Sequence, residues 1–137
     1  MSNSDILRTI PLFRGMTDQS IETISDLAVP ASFDVGDMLV RQGEPGDSFI
    51  VLIAGQATVE KDGQSIRSLD AGDFLGEIAL IDGGPRTATV TATSPVEALT
   101  VDRAGFGRLM ADFPVVRLDL MSALTQRLRE RAPTPTD

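Results

Sequence analysis

Apolar residues recur along this chain first at helical spacing, then at strand spacing, then at helical spacing again. Over residues 4–27, Ile6, Leu7 and Ile10, with Leu12 or Phe13, form a short stripe interrupted at Pro11. Ile21, Ile24 and Leu27 form a second stripe behind Thr17, a residue type that caps helix N-termini. Residues 29–73 read instead as strands. Turn signals at Gly36-Asp37, residues 43–47, Gly55, Asp62-Gly63 and Gly72-Asp73 recur roughly every ten residues, as in an all-β sandwich or barrel. Asp62-Gly63, between Val59 and Ile66, suits a tight hairpin. Phe49-Ile50-Val51-Leu52-Ile53 is apolar on both faces and predicts a central strand. Residues 86–92 and 95–101 supply the last strands, and the whole pattern suggests a jelly roll.

Helical spacing returns at Asp102, a second N-cap candidate, with Phe106, Leu109, Met110 and Phe113 on one face. Gly105 and Gly107 should weaken this helix by roughly 1 kcal/mol each relative to Ala. Pro114 suits the first turn of a further helix. Its stripe is Val116, Leu120, Ala123, Leu124 and Leu128, broadened by Leu118 and Met121. Arg127, Arg129 and Arg131 crowd its end, where positive charge is favoured. Residues 133–137 read as a flexible tail, so a single domain over residues 1–132 is expected.

Composition narrows the functional classes. Hydrophobic residues make up 42% of the 137, enough for a packed core and too many for a disordered chain. No apolar run approaches the length of a membrane span, and residues 1–5 lack the basic segment of a signal peptide, so a cytoplasmic protein without a membrane partner is the default expectation. There is no Cys, which removes disulfides and thiolate metal sites. There is no His, which removes the commonest general base and the commonest transition-metal ligand. The absence of His weighs against a cupin-like metal enzyme or a phosphodiesterase; a metal site of Asp and Glu alone stays open, but no tight acidic cluster stands out, and neither a catalytic residue nor a metal site is assigned. The net charge of −8 repels nucleic acid and anionic lipid at long range, so an anion site must work locally.

Such a site is suggested by residues 74–90. Gly76 permits a tight turn and close approach of a ligand to the backbone. Residues 77–81 can form one or two helical turns, whose first N–H groups attract negative charge. Asp82-Gly83-Gly84-Pro85 then reverses the chain. Arg86 follows, with a fork of donors suited to a phosphate, and Thr87, Ala88, Thr89 and Val90 read as a strand that would hold it. Glu77 is the odd member, since a carboxylate repels an anion unless it binds another part of the same ligand. A sugar hydroxyl beside a phosphate would satisfy Glu77 and Arg86 together, and a cyclic nucleotide presents both in one compact unit.

Gly76-Glu77-Ile78-Ala79-Leu80 followed by Pro85-Arg86-Thr87-Ala88-Thr89-Val90 resembles the phosphate-binding cassette of cyclic-nucleotide-binding domains. Those domains occur in the regulatory subunit of protein kinase A, in cyclic-nucleotide-gated channels and in catabolite-activator-type regulators. The resemblance implies a mainly β protein: a β jelly roll (double-stranded β-helix) with an N-terminal helical bundle and C-terminal hinge or lid helices. It implies that Arg86 binds the phosphate and that Glu77 accepts from the ribose 2′-hydroxyl. Gly76, Ile78, Ala79 and Ala88 would contribute backbone groups, and Thr87 a hydroxyl to the phosphate. In some relatives a hydroxyl residue at the position of Thr87 also touches a guanine amino group, while bacterial-type cAMP binders carry one too, so Thr87 leaves the base open.

Ile53, Ile66 and Leu69 lie in strands that could line a base pocket or simply belong to the core. Trp and Tyr are absent, which weighs against the stacked aromatic cap over the base found in some relatives; Met121, Leu124 or the stem of Arg127 could cover the base instead. The expected function is a regulatory sensor that binds cAMP, with cGMP as the alternative, and passes occupancy to its terminal helices. The competing expectation is a ligand-free structural or dimerisation domain of the same fold. No cofactor beyond the ligand is expected. Output would run through a homodimer seam on the last helix or through an effector domain or protein. A helix-turn-helix reader of DNA is not expected within residues 1–132.

Overall fold

The computed structural model describes residues 3–13, 15–76 and 84–131, with the side chains of 127–131 excepted. The helix expected over residues 77–81 and the tail expected at 133–137 lie outside the described residues. The chain opens with α1 (Asn3–Leu7), a 3-10 turn (Pro11–Phe13) and α2 (Asp18–Leu27). Eight strands follow among the described residues: β1 (Val29–Phe33), β2 (Met38–Val40), β3 (Ser48–Ala54), β4 (Ala57–Lys61), β5 (Gln64–Leu69), β6 (Phe74–Leu75), β7 (Thr89–Ala92) and β8 (Val96–Asp102). Two helices close the chain, α3 (Arg103–Asp112) and α4 (Pro114–Arg131).

Local signals place several of these ends. The Thr17 hydroxyl accepts the Ser20 N–H at 3.1 Å and starts α2. The Asp102 carboxylate does the same for Gly105 at 2.7 Å and starts α3. Pro114, which needs no N–H partner, starts α4. Asp62 and Gly63 both take positive φ, at 53° and 81°, and close a two-residue hairpin in which Lys61 faces Gln64.

The strands form two four-stranded antiparallel sheets, in the orders β1-β8-β3-β6 and β2-β7-β4-β5. Together with the flanking helices they make a jelly roll. The first sheet is the middle layer, which explains the doubly apolar run of β3. Phe49 and Val51 join Phe74, Leu99 and Val101 in one core shared with Ile21, Ile24, Phe106, Leu109 and Leu120 of the helices. Ile50 and Leu52, pointing the other way, join Leu75, Val90 and Ala98 in a second core between the sheets. Phe49 is central to the first core, with its ring centroid 5.6 Å from that of Phe74 and 5.2 Å from that of Phe106.

The structure alters three expectations. The strand expected from residue 86 begins only at Thr89, because the backbone at Arg86 pairs with an earlier loop instead of with a sheet neighbour. Gly105 is a packing requirement as well as a weak helix former: a Cβ there would lie 2.8 Å from Val101 Cγ1 and 3.1 Å from the capping Asp102 Oδ1. Finally, the stripe on α4 is narrower than the apolar residues suggested. Val116 and Leu120 are fully buried, and Ala123 and Leu124 pack beside them. Leu118 and Met121 stay exposed, as does Val115, because α4 packs chiefly on α3 and the 3-10 turn.

Candidate functional site

The site is built where β6 ends and the chain returns towards β7. Beyond Phe74 and Leu75, whose side chains go to opposite cores, Gly76 takes a φ of 93°, which favours glycine. An added Cβ would also lie 2.5 Å from Nη1 of Arg86 and 2.5 Å from the carbonyl oxygen of Ser48. Gly76 is therefore the only residue type that lets the Arg86 guanidinium lie against the turn.

Arg86 is the one charged residue that reaches full burial among the described residues, with 6% of its surface exposed. Burying a guanidinium is costly unless its donors are used. Nη2 donates to the Ser48 carbonyl at 2.9 Å and to the Ser48 hydroxyl at 3.2 Å. The Arg86 backbone is held as firmly. Its N–H donates to the Glu44 carbonyl at 2.8 Å, and its carbonyl accepts the Gly43 N–H at 2.9 Å. Pro45 and Pro85 make a bridge alongside. The loop between β2 and β3 thus grips the Arg86 backbone and the first residue of β3 its side chain, doing what a continuous strand was expected to do.

The neighbouring positions divide by environment. Ala88 turns its methyl into the core between the sheets, which leaves only its backbone for a ligand. Thr87 is half-buried between Arg86 and Ala88. Thr89 Oγ1 accepts the Gln42 N–H at 2.9 Å and tethers the start of β7 to the same loop region. Glu77, Ile78 and Ala79 lie outside the described residues. The structure therefore brings together Gly76, Arg86 and Ser48. Ser48 was missed by sequence reasoning, because its main contact is a backbone carbonyl that any residue would offer.

The three residues considered for a base pocket do not converge. Ile53 packs against the helix-side core, Leu69 is fully buried between the sheets, and Ile66 is exposed. Of the side chains considered as a cover for the base, Leu124 packs towards the helix-side core and Met121 is exposed, while that of Arg127 is not described. Among the described residues there is no cluster of three or more His, Cys, Asp or Glu able to hold a metal.

The fold defines a double-sheet jelly-roll module flanked by helices. The family model described as "Cyclic nucleotide-binding domain" matches residues 30–113, which is more than half of the chain, and the chain belongs to that family. It is similar to the cGMP-dependent protein kinase egl-4 of Caenorhabditis briggsae, with 38% identity over 122 residues, covering 84% of this chain and 16% of the kinase. It is also similar to the cAMP-dependent protein kinase regulatory subunit of Hypocrea atroviridis, with 36% identity over 106 residues, covering 77% of this chain and 23% of that subunit. Among solved structures, cAMP-bound PfPKA-R superimposes with a TM-score of 0.85 at 28% identity, covering 93% of this chain and 44% of that one. The chain thus spans less than a quarter of the length of either curated relative, and the matching family model is that of a binding module, not of a catalytic domain. No helix among the described residues is long and apolar enough to cross a membrane.

Proposed function

We propose that this domain binds a cyclic nucleotide, cAMP in preference to cGMP, and acts as a regulatory sensor. The observation that carries this reading is the buried Arg86 guanidinium, fixed on Ser48 and abutting Gly76 at the entrance to the residues that resemble the phosphate cassette. A pre-oriented arginine fork in a low-dielectric site suits a compact anion. Glu77 takes the ribose 2′-hydroxyl, and the backbone of Gly76, Ile78, Ala79 and Ala88 together with the Thr87 hydroxyl completes the phosphate contacts. Cyclic AMP is placed first because the cAMP-bound neighbour matches nearly the whole chain. The likeness to a cGMP-dependent kinase keeps cGMP as the competitor to be measured.

Occupancy is passed to the terminal helices. The packing supports this, because Ser48, which receives Arg86, is followed directly by Phe49, which touches Phe74 beside the site and Phe106 on α3. A ligand that favours one setting of this unit over another shifts α3 and α4 by its difference in affinity for the two. The exposed Val115, Leu118 and Met121 on α4 provide the output surface, read by a second copy or by an effector.

The test is isothermal titration of nucleotide-free protein with cAMP and with cGMP, for the wild type and for Arg86→Ala. Micromolar or tighter binding by the wild type is expected, and the variant should lose on the order of 2–5 kcal/mol, the cost of leaving a buried anion without its charged partner. Absence of binding by the wild type to either ligand would sink the sensor reading and leave a structural domain of the same fold.

A further inference from the structure

Arg103 opens α3, far in sequence from the residues so far assigned to the site. Its Nη2 donates to the carbonyl of Gly46 at 2.6 Å, a short contact of the charge-assisted kind. Gly46 is buried and lies in the loop that holds Arg86. That loop and the first residue of β3 meet Arg86 through the Gly43 N–H, the Glu44 carbonyl and the Ser48 carbonyl. Gly46 sits between the second and third of these contacts. The loop is tied at Gln42 to Thr89 and Asp62 and at Pro45 to Pro85, and the charged donor on the Gly46 carbonyl adds an anchor from α3 in a stretch where two glycines leave the backbone free to move.

We propose that Arg103 is a positioning residue for the ligand phosphate, acting from α3 through Gly46 on the loop that aims Arg86. This deepens the cyclic-nucleotide reading and rests on it. The physical logic is preorganisation: ordering the loop in advance removes that cost from the binding step. Arg103 makes no contact with the ligand in this scheme. It also joins the site to the first turn of α3 next to the Asp102 cap, giving the phosphate end a polar connection to the helix beside the aromatic one through Phe49.

The experiment uses the full nucleotide-free chain with cAMP as the probe and the variants Arg103→Met and Arg103→Lys. Calorimetry gives affinity, amide hydrogen exchange reads Gly43 and Arg86, and thermal unfolding reads stability. Arg103→Met should weaken cAMP about tenfold, as expected for one charge-assisted hydrogen bond acting through a loop. Exchange at the Gly43 and Arg86 amides should rise, while the melting temperature moves by no more than about 2 °C. Arg103→Lys, which keeps a charged donor, should recover most of the affinity. In an Arg86→Lys background, Arg103→Met should cost much less than it does alone, because its effect runs through the Arg86 fork. Wild-type affinity in Arg103→Met overturns the inference while leaving the binding reading intact. So does an equal loss in both backgrounds, and so does unchanged exchange at the two amides. If Arg103→Met fails to fold, failure of Arg103→Lys to restore exchange protection and affinity overturns it as well. A wild type that binds no cyclic nucleotide overturns the parent reading, and the inference falls with it.

Discussion

Gly76 and Arg86 fit together only because one of them lacks a side chain: a Cβ on Gly76 would lie 2.5 Å from Nη1 of Arg86. The same atom would press on the Ser48 carbonyl that receives Arg86. Gly76→Ala therefore combines a steric clash with a φ of 93° that L residues avoid. A loss of about 1–3 kcal/mol in denaturant-measured stability is expected, with cyclic-nucleotide binding lost alongside. An unchanged unfolding midpoint would mean that the turn relaxes away from both Arg86 and the Ser48 carbonyl at no cost.

The hold of Ser48 on Arg86 is mainly a backbone one, and that sets an asymmetry between two simple variants. Ser48→Ala removes the 3.2 Å hydroxyl contact and keeps the 2.9 Å carbonyl contact, so affinity should fall by no more than about 0.5–1 kcal/mol. Arg86→Lys keeps the charge and loses the planar fork, so it should cost about 1.5–3 kcal/mol. Titration of both variants with cAMP checks the order. A larger effect from Ser48→Ala would place the hydroxyl itself in the site.

Two glycines in α3 should respond in opposite directions to the same change. Gly107 is exposed, and a Cβ there would meet nothing within 4 Å, so Gly107→Ala should stabilise the protein by roughly 0.5–1 kcal/mol through helix propensity alone. Gly105→Ala gains the same propensity but drives a Cβ into Val101 and towards the Asp102 cap, and it should destabilise by about 1–3 kcal/mol. Thermal or chemical unfolding of the pair isolates packing from propensity.

The proposed role of Glu77 can be read from the ligand side. If it accepts from the ribose 2′-hydroxyl, 2′-deoxy-cAMP should bind the wild type more weakly than cAMP by about 1.5–3 kcal/mol, the value of a hydrogen bond to a charged group. In Glu77→Ala that difference should vanish. Equal discrimination by wild type and variant would move the sugar contact to another residue.

Much of the architecture was legible because its signals are local. Thr17 and Asp102 cap helices with N–H groups three residues away. Asp62-Gly63 closes its hairpin through backbone conformations that those residue types tolerate. The doubly apolar run at Phe49–Ile53 needs only the strand period to announce burial on both faces. The likeness of residues 76–90 to a phosphate cassette is likewise a matter of residue order. The roles proposed for Glu77, Ile78 and Ala79 follow from that residue order.

Other features were decided by tertiary structure. Arg86 meets Ser48, 38 positions earlier, through a carbonyl that carries no side-chain signature. The middle sheet runs β1-β8-β3-β6, so the neighbours of a strand are not its neighbours in sequence. Arg86 itself pairs its backbone with Gly43 and Glu44, more than 40 positions earlier, instead of continuing β7. Ile53 and Leu69 go to different cores, because they lie in different sheets and Ile53 shares the helix-side face of β3 with Phe49 and Val51. Residue type specifies which backbone conformations and which faces are favourable within a turn or a strand. Which distant carbonyl, glycine or helix end meets them depends on how the two sheets and the helices close over one another, because a backbone oxygen is chemically the same at every position.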